Sequence, residues 1–224
     1  MTSSTTNIAA QSTQPYDSIT IRTLRRDDYP ALVEMVRHAW YADEGERAGR
    51  LGAQADWEYC LSRTTTAFVA EADGEPVGMI LGRVAARDTR GPWNAHYRRY
   101  LSLLPAQLLS ADGRENVAYL LAIHAIERRL IRMSGHHLPA EVVLFVTAPQ
   151  SRGFGLGSRL FDTLLESFRE QHAHDYFLYT DDTCDFGFYE HRGLTRAAEI
   201  TRRRNSPANG EPAIESFYLY EGRA

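Results

Sequence analysis

The stretch of this chain best suited to chemistry is a turn, Arg152-Gly153-Phe154-Gly155-Leu156-Gly157, set between an apolar strand and an amphipathic helix. The strand, Val142 to Val146, is rich in β-branched and aromatic residues and is closed by Pro149. In the helix, Leu156, Leu160, Phe161, Leu164, Leu165 and Phe168 recur at three- and four-residue steps. A glycine-rich turn feeding a helix N-terminus presents successive backbone N–H groups beside the positive end of the helix dipole. Its missing Cβ atoms let a phosphate approach closely. The chemistry on offer is the cradling of a pyrophosphate. A nucleoside-triphosphate loop would end in Lys followed by Ser or Thr, but Gly157 is followed by Ser158-Arg159, which excludes it. A dinucleotide fingerprint would begin at Gly153 and meets Ser158 where its third glycine belongs. Asp175 stands near the place of that fingerprint's acidic residue, so this weaker match stays open. An ordinary glycine-rich loop is the plain alternative.

A further reading takes in a second stretch. Pro149-x-x-Arg152-x-x-Gly155-x-Gly157 after an apolar strand resembles the acetyl-coenzyme-A-binding signature of the GNAT acetyltransferase superfamily. Further along, Phe188-Tyr189-Glu190-His191-Arg192-Gly193-Leu194 is similar to that family's second motif, F-Y-E-K-x-G-F, with Gly193-Leu194 in place of a glycine–aromatic pair. The order of elements resembles the family over most of residues 19–220, while only Glu141 to Leu194 is motif-specific.

The resemblance implies an acetyl-coenzyme-A-dependent N-acetyltransferase in which a primary amine attacks the thioester directly. The cosubstrate would be held by the backbone of Phe145, Val146 and Thr147 along its pantetheine arm. Its pyrophosphate would lie on Arg152, Gly153, Phe154, Gly155, Leu156, Gly157 and Ser158. Tyr189 matches the tyrosine that protonates the departing thiolate in many family members. A phenol with a pKa near 10 stays protonated at neutral pH and can donate to a thiolate whose thiol pKa is about 8.5. The plain alternative is a buried aromatic with a satisfied hydroxyl. Asp182 stands where the family often has asparagine; an ionised aspartate only accepts hydrogen bonds, so cofactor contact and helix capping are equal alternatives. Glu141, at the start of the central strand, is the candidate general base, directly or through water; a surface carboxylate is the equal alternative. His124, His136 and His137 are secondary candidates. Cys184 reads as a small core residue, without a neighbouring His or Lys to lower its pKa. No metal is expected, because the histidines lack ligand spacing with carboxylates on one helix face. The rival from another class is a non-catalytic module that binds or senses acyl-coenzyme A. A dinucleotide-dependent oxidoreductase ranks behind both.

These residues need elements to hold them, and the chain supplies a consistent set. Ile19 to Leu24 alternates as a strand, and a helix follows with Tyr29-Pro30 near its first turn. A short helix is expected at Gln54 to Leu61, with Trp57 and Tyr59 packing rather than touching substrate. Thr66 to Glu71 and Pro76 to Gly82 are strands joined by an Asp73-Gly74 hairpin turn. Helices are expected at His96 to Leu109 and Glu115 to Met133; the second is apolar on much of its surface and packs on two sides or at a homodimer contact. Tyr176 to Thr180 is a strand, parallel to Val142 to Val146 because a helix intervenes. A short helix carries Phe186, Phe188 and Tyr189, with Asp181 to Thr183 offering N-cap chemistry. Leu194 to Thr201 and Ile214 to Tyr220 are strands, separated by a turn cluster at Asn205 to Pro212. The fold expected is α/β of the α+β type, a GNAT-like mixed and mostly antiparallel sheet with helices on both faces. Residues 1–18 read as a disordered tail and 19–224 as one acetyltransferase domain. A helical insertion at about 84–138 would cap the acceptor side or form an interface.

Composition agrees with this picture. The chain has 224 residues, 43% of them hydrophobic, which suffices for one large core. A net charge of −4 gives no footprint for nucleic acid. Cys60 and Cys184 are the only cysteines and form no C-x-x-C pair, which fits a reducing cytoplasm. The N-terminus has no signal-peptide pattern, and no apolar run approaches the roughly 20 residues needed to span a bilayer. The partner expected is a small-molecule or peptide amine, with neither nucleic acid nor membrane involved.

Overall fold

The computed structural model describes residues 18–151, 154–205 and 212–224. The expected tail up to residue 17, Arg152 and Gly153, and most of the turn cluster after Asn205 lie outside the described residues. Among them runs one seven-stranded sheet: β1 (Ile19–Thr23), β2 (Thr66–Ala72), β3 (Glu75–Val84), β4 (Ala140–Thr147), β5 (Asp175–Asp181), β6 (Thr195–Asn205) and β7 (Pro212–Arg223). The spatial order is β1-β2-β3-β4-β5-β7-β6. Neighbours are antiparallel except β4 and β5, which are parallel. The sheet is mixed and mostly antiparallel, as expected. The β2–β3 turn is the expected hairpin, with Asp73 at φ 52° and Gly74 at φ 88°, the left-handed pair that a tight two-residue turn requires.

The crossover between β4 and β5 is α5 (Leu156–Glu170). The six apolar residues expected on its inner face are all buried, at roughly 2 kcal/mol of gross stabilisation each. They pack on β2, β3, β4 and β5, in one cluster with Ile80, Val142 and Tyr176. The helix comes unusually close at β3, where a Cβ on Gly82 would lie 2.5 Å from Leu164 and 2.9 Å from Phe168. The opposite face of the sheet is covered by α1 (Tyr29–Trp40) and α2 (Glu46–Arg63), with Leu32, Val36 and Trp57 against Val69, Met79 and Leu81. Trp57 packs, as anticipated, edge-on to Tyr29 at 5.3 Å. Further along, α3 (Ala95–Gln107) and α4 (Ala111–Ser134) follow, and Leu130 of α4 packs on Phe177, Phe217 and Leu219. The short α6 (Gly187–His191) precedes β6.

Two helices depart from expectation. α2 starts at Glu46, not Gln54, because its early glycines hide the apolar period. They are tolerated because Tyr41 crosses there: a Cβ on Gly52 would meet the Tyr41 ring at 2.6 Å. Tertiary packing overrides a poor local propensity. α4 starts at Ala111, because Ser110 caps it by accepting from the Gly113 N–H at 3.1 Å. Ala111 to Arg114, left between the two expected helices, form its first turn. Among the described residues no helix is long and apolar enough to cross a membrane.

Candidate active site

The site begins where two strands part. β4 and β5 pair only at Ala140–Tyr176, Glu141–Phe177 and Val142–Leu178. Beyond that, β4 follows β3 as far as Thr147, and β5 follows β7 as far as Asp181. A bulge marks the divergence: Leu81 pairs with Leu144 and Gly82 with Val142, leaving Val143 as the extra residue. The edge of β4 from Val143 to Thr147 that would face β5 therefore has no strand partner among the described residues, and it offers hydrogen bonds to an extended guest.

On one side of the notch lies a groove of about 1260 Å³. Phe145, Val146 and Thr147 line it together with Gly155, Leu156, Gly157 and Ser158, so most of the expected cofactor residues meet there. Gly155 is the N-cap of α5 at φ 70°, and the first intrahelical bond runs from the Arg159 N–H to its carbonyl at 3.1 Å. The N–H groups of Leu156, Gly157 and Ser158 are left without intrahelical acceptors. No acidic residue stands in that first turn to oppose an anion. A Cβ built on Gly155 would meet nothing within 4 Å, so the cradle is open. The residues present fit a pyrophosphate. Phe154 is half-buried beside the turn, whereas Arg152 and Gly153 lie outside the described residues. Asp182 is not brought to the groove: its carboxylate accepts from the Ser216 N–H at 2.9 Å and its own N–H donates to the Ser216 carbonyl. Nor does it cap α6, whose N-cap is Phe186. Asp181 instead closes the turn, accepting from the Thr183 N–H at 2.9 Å.

Gly157→Leu tests the cradle. A Cβ there would lie 3.4 Å from Phe145 and 3.9 Å from Phe188, ordinary contacts that the fold tolerates. The longer side chain would extend into the groove. Melting temperature should stay near wild type while affinity for coenzyme A, measured by calorimetry, falls by about tenfold or more, the equivalent of one phosphate hydrogen bond to a charged group.

On the other side lies a cavity of about 790 Å³, walled by α2, α4, β4 and β5. The two hollows share Ala39, Trp40, Phe145, Thr183, Cys184 and Tyr189. Tyr189 is half-buried, with its ring against Phe161, Phe188 and Tyr220. Burial, helped by Cys184 and Asp185, pushes its phenol above the ordinary value, so it is protonated at neutral pH. Its hydroxyl has no hydrogen-bond partner among the described residues. Burial likewise raises the Cys184 thiol, which keeps it from acting as a thiolate.

Glu141 lies deep in the same cavity and is only 3% exposed, so it is no surface carboxylate. Arg63 at the end of α2 donates to both of its oxygens, at 2.5 and 2.6 Å. The sequence reading missed Arg63, and it missed two carboxylates nearby, Asp56 and Glu127. Burial pushes Glu127 up to about 7, opposed by Arg63 and helped by Glu141 and Asp56. Burial also pushes Asp56 up to about 6, against a hydrogen bond from Tyr41. His124, stacked on Tyr59 at 4.3 Å, is pushed down to about 4 by burial and by Arg63, so it is neutral. Glu127 stands three residues beyond His124 on one helix face, a spacing that could have drawn attention to it. His136 is exposed, bonded to Glu221 at 2.7 Å, and neither it nor His137 reaches the cavity.

The raised Glu127 has a consequence for stability. A carboxylic acid whose folded pKa lies above its unfolded value stabilises the fold at low pH and loses that contribution as pH rises through the folded pKa. His124 works in the opposite sense, but only below about pH 6.5. Between pH 6.5 and 8 the apo protein should therefore lose on the order of 1 kcal/mol through Glu127. Glu127→Gln should show a flatter profile in thermal melts over the same interval.

The family model for the acetyltransferase (GNAT) family matches residues 21–194. The chain belongs to the GNAT acetyltransferase family. No curated protein matches the sequence. Solved structures similar to it include one named SsHAT, at 20% identity and a TM-score of 0.58, covering 92% of this chain and 98% of that one. An agmatine N-acetyltransferase variant in its apo form is 18% identical with a TM-score of 0.55, covering 93% of this chain and 100% of the other. The polyamine N-acetyltransferase of Drosophila melanogaster is 18% identical with a TM-score of 0.53, covering 92% and 100%. At such identities the likeness is one of fold. This acetyltransferase is an acyltransferase whose family uses acetyl-coenzyme A as cosubstrate.

Proposed function

We propose that this acetyltransferase moves an acetyl group from the coenzyme A thioester to a primary amine by direct attack, with Tyr189 as general acid. One observation supports this above the others: the groove and the cavity meet through the β4–β5 notch, with Tyr189 bordering both. Acetyl-coenzyme A, when bound, supplies an activated acetyl group and a thiolate leaving group. The first-turn N–H groups of α5 would hold its diphosphate, and the free edge of β4 from Val143 to Thr147 would hold the pantetheine amides. The amine would approach from the cavity side, with α4 of the 84–138 segment as its wall. Tyr189 would give its proton to the sulfur as the carbon–sulfur bond breaks. Glu141, proposed as base from the sequence, has both carboxylate oxygens engaged by Arg63. We read the pair as a fixed floor of the cavity.

Initial-rate kinetics test direct attack. With both substrates varied, intersecting double-reciprocal lines are expected. Parallel lines, or an acetylated protein after incubation with acetyl-coenzyme A alone, would overturn it.

A further inference from the structure

We propose that the amine admitted by this cavity is a dication, a primary amine carrying a second protonated amino or guanidino nitrogen that Glu127 and Asp56 hold. The inference rests on the functional reading above for which end of the ligand reacts, and on the cavity wall for the rest. Eight carboxylates line that wall against one guanidinium, Arg63, which is already bound to Glu141. A wall of carboxylates is not by itself a site, but two groups inside this one lack partners. Glu127 accepts no hydrogen bond and makes no ion pair within 4 Å among the described residues, although it is half-buried in the cavity wall. His124 has its Nε2 buried without a hydrogen-bond partner on the same face of α4.

A carboxylate partly withdrawn from water without a donor is costly, and the fold retains one where a ligand can reach it. A cation entering between α2 and α4 would supply the missing donors to Glu127. It would also restore charge to Asp56, which repels Glu127 electrostatically. Both acids hold their protons above the ordinary carboxylate range, as burial without a directly bonded cation requires. At the exposed rim, Asp112 and Glu115 stand near Glu44 and would draw cations inward. The same wall discriminates against other acceptors. An amino acid or other acid-bearing amine would bring a negative charge against the carboxylates, and a plain alkylamine would leave Glu127 unsatisfied.

The binding arm of the test is calorimetric and requires no turnover; acetylation of the same amines is its second arm. Full-length protein is titrated at neutral pH, in the presence of coenzyme A, with 1,5-diaminopentane, pentylamine and 5-aminopentanoate. The diamine should bind about thirtyfold or more tightly than pentylamine, the worth of one hydrogen bond between charged groups, and 5-aminopentanoate should not bind detectably. In Glu127→Gln the diamine-to-monoamine ratio should collapse to within about threefold. Asp56→Asn, which keeps the side-chain shape, gives the same reading if the first variant fails to fold. Equal affinity for diamine and monoamine in wild type, or an undiminished ratio in the folded variants, would overturn the proposal. Diamine binding without acetylation of any amine would overturn acetyl transfer alone. Acetylation of pentylamine with the same kcat/KM as the diamine would overturn the dication alone.

Discussion

Tyr189→Phe should lower kcat by about 10²–10⁴-fold, while the KM for acetyl-coenzyme A and the melting temperature stay near wild type. A phenol that donates only as the thiolate departs stabilises the transition state more than the ground state, so its loss appears in turnover. The equivalent barrier is roughly 3–5 kcal/mol. The ring of Tyr189 packs on Phe161, Phe188 and Tyr220, and phenylalanine keeps those contacts. Tyr189 lines both hollows, and its hydroxyl has no protein partner among the described residues. Its removal therefore strands no buried donor or acceptor. A structural hydroxyl would behave otherwise: its loss costs about 1 kcal/mol in folding and leaves turnover almost intact. Rate and melting measurements on one variant separate the two. Turnover within about threefold of wild type, far short of a general-acid effect, would show that Tyr189 is not the acid.

Arg63→Met should destabilise the fold by about 3–5 kcal/mol, because it leaves the Glu141 carboxylate buried without its donors. Glu141 is only 3% exposed and both of its oxygens are held by Arg63. For a chain of this size the fall in melting temperature is on the order of 10 °C. The double variant Arg63→Met, Glu141→Gln removes the stranded charge and should recover most of the loss. The cycle also weighs the two readings of Glu141. A proton acceptor changed to Gln would flatten the pH dependence of kcat/KM in the single variant while the melting temperature moved little. A charge partner of Arg63 would show the opposite balance, with stability altered and the pH profile kept.

What the sequence made legible was local. The apolar period of α5 placed all six of its buried residues, and Asp73-Gly74 placed the hairpin turn. The strand–helix–strand order required the parallel β4–β5 pair, and the glycine-rich turn lies at the start of α5, with Gly155 as its N-cap. The notch, however, depends on where pairing between β4 and β5 stops, which no local pattern encodes. Resemblance to the family pointed to the backbone of Phe145 to Thr147, which periodicity could not single out. The α2 helix was cut short in the reading because Gly49 and Gly52 answer to Tyr41, a contact made in space. Asp182 was placed by its motif position, yet its carboxylate is turned to β7 by a strand pairing outside that motif. The largest omission has the same cause. Arg63 and Glu141 lie 78 residues apart, and the acidic wall assembles from α2, α4 and the strands. Local pattern singles out only Glu141 and Asp181 among its carboxylates, and neither as part of a wall.

The most direct measurement is thiol release from acetyl-coenzyme A by the wild-type protein against a panel of amines, with the product identified by mass. The account predicts that coenzyme A appears only when an amine is supplied, in equal amount to an N-acetylated product. Strong binding of acetyl-coenzyme A with no amine raising thiol release above background hydrolysis would contradict it.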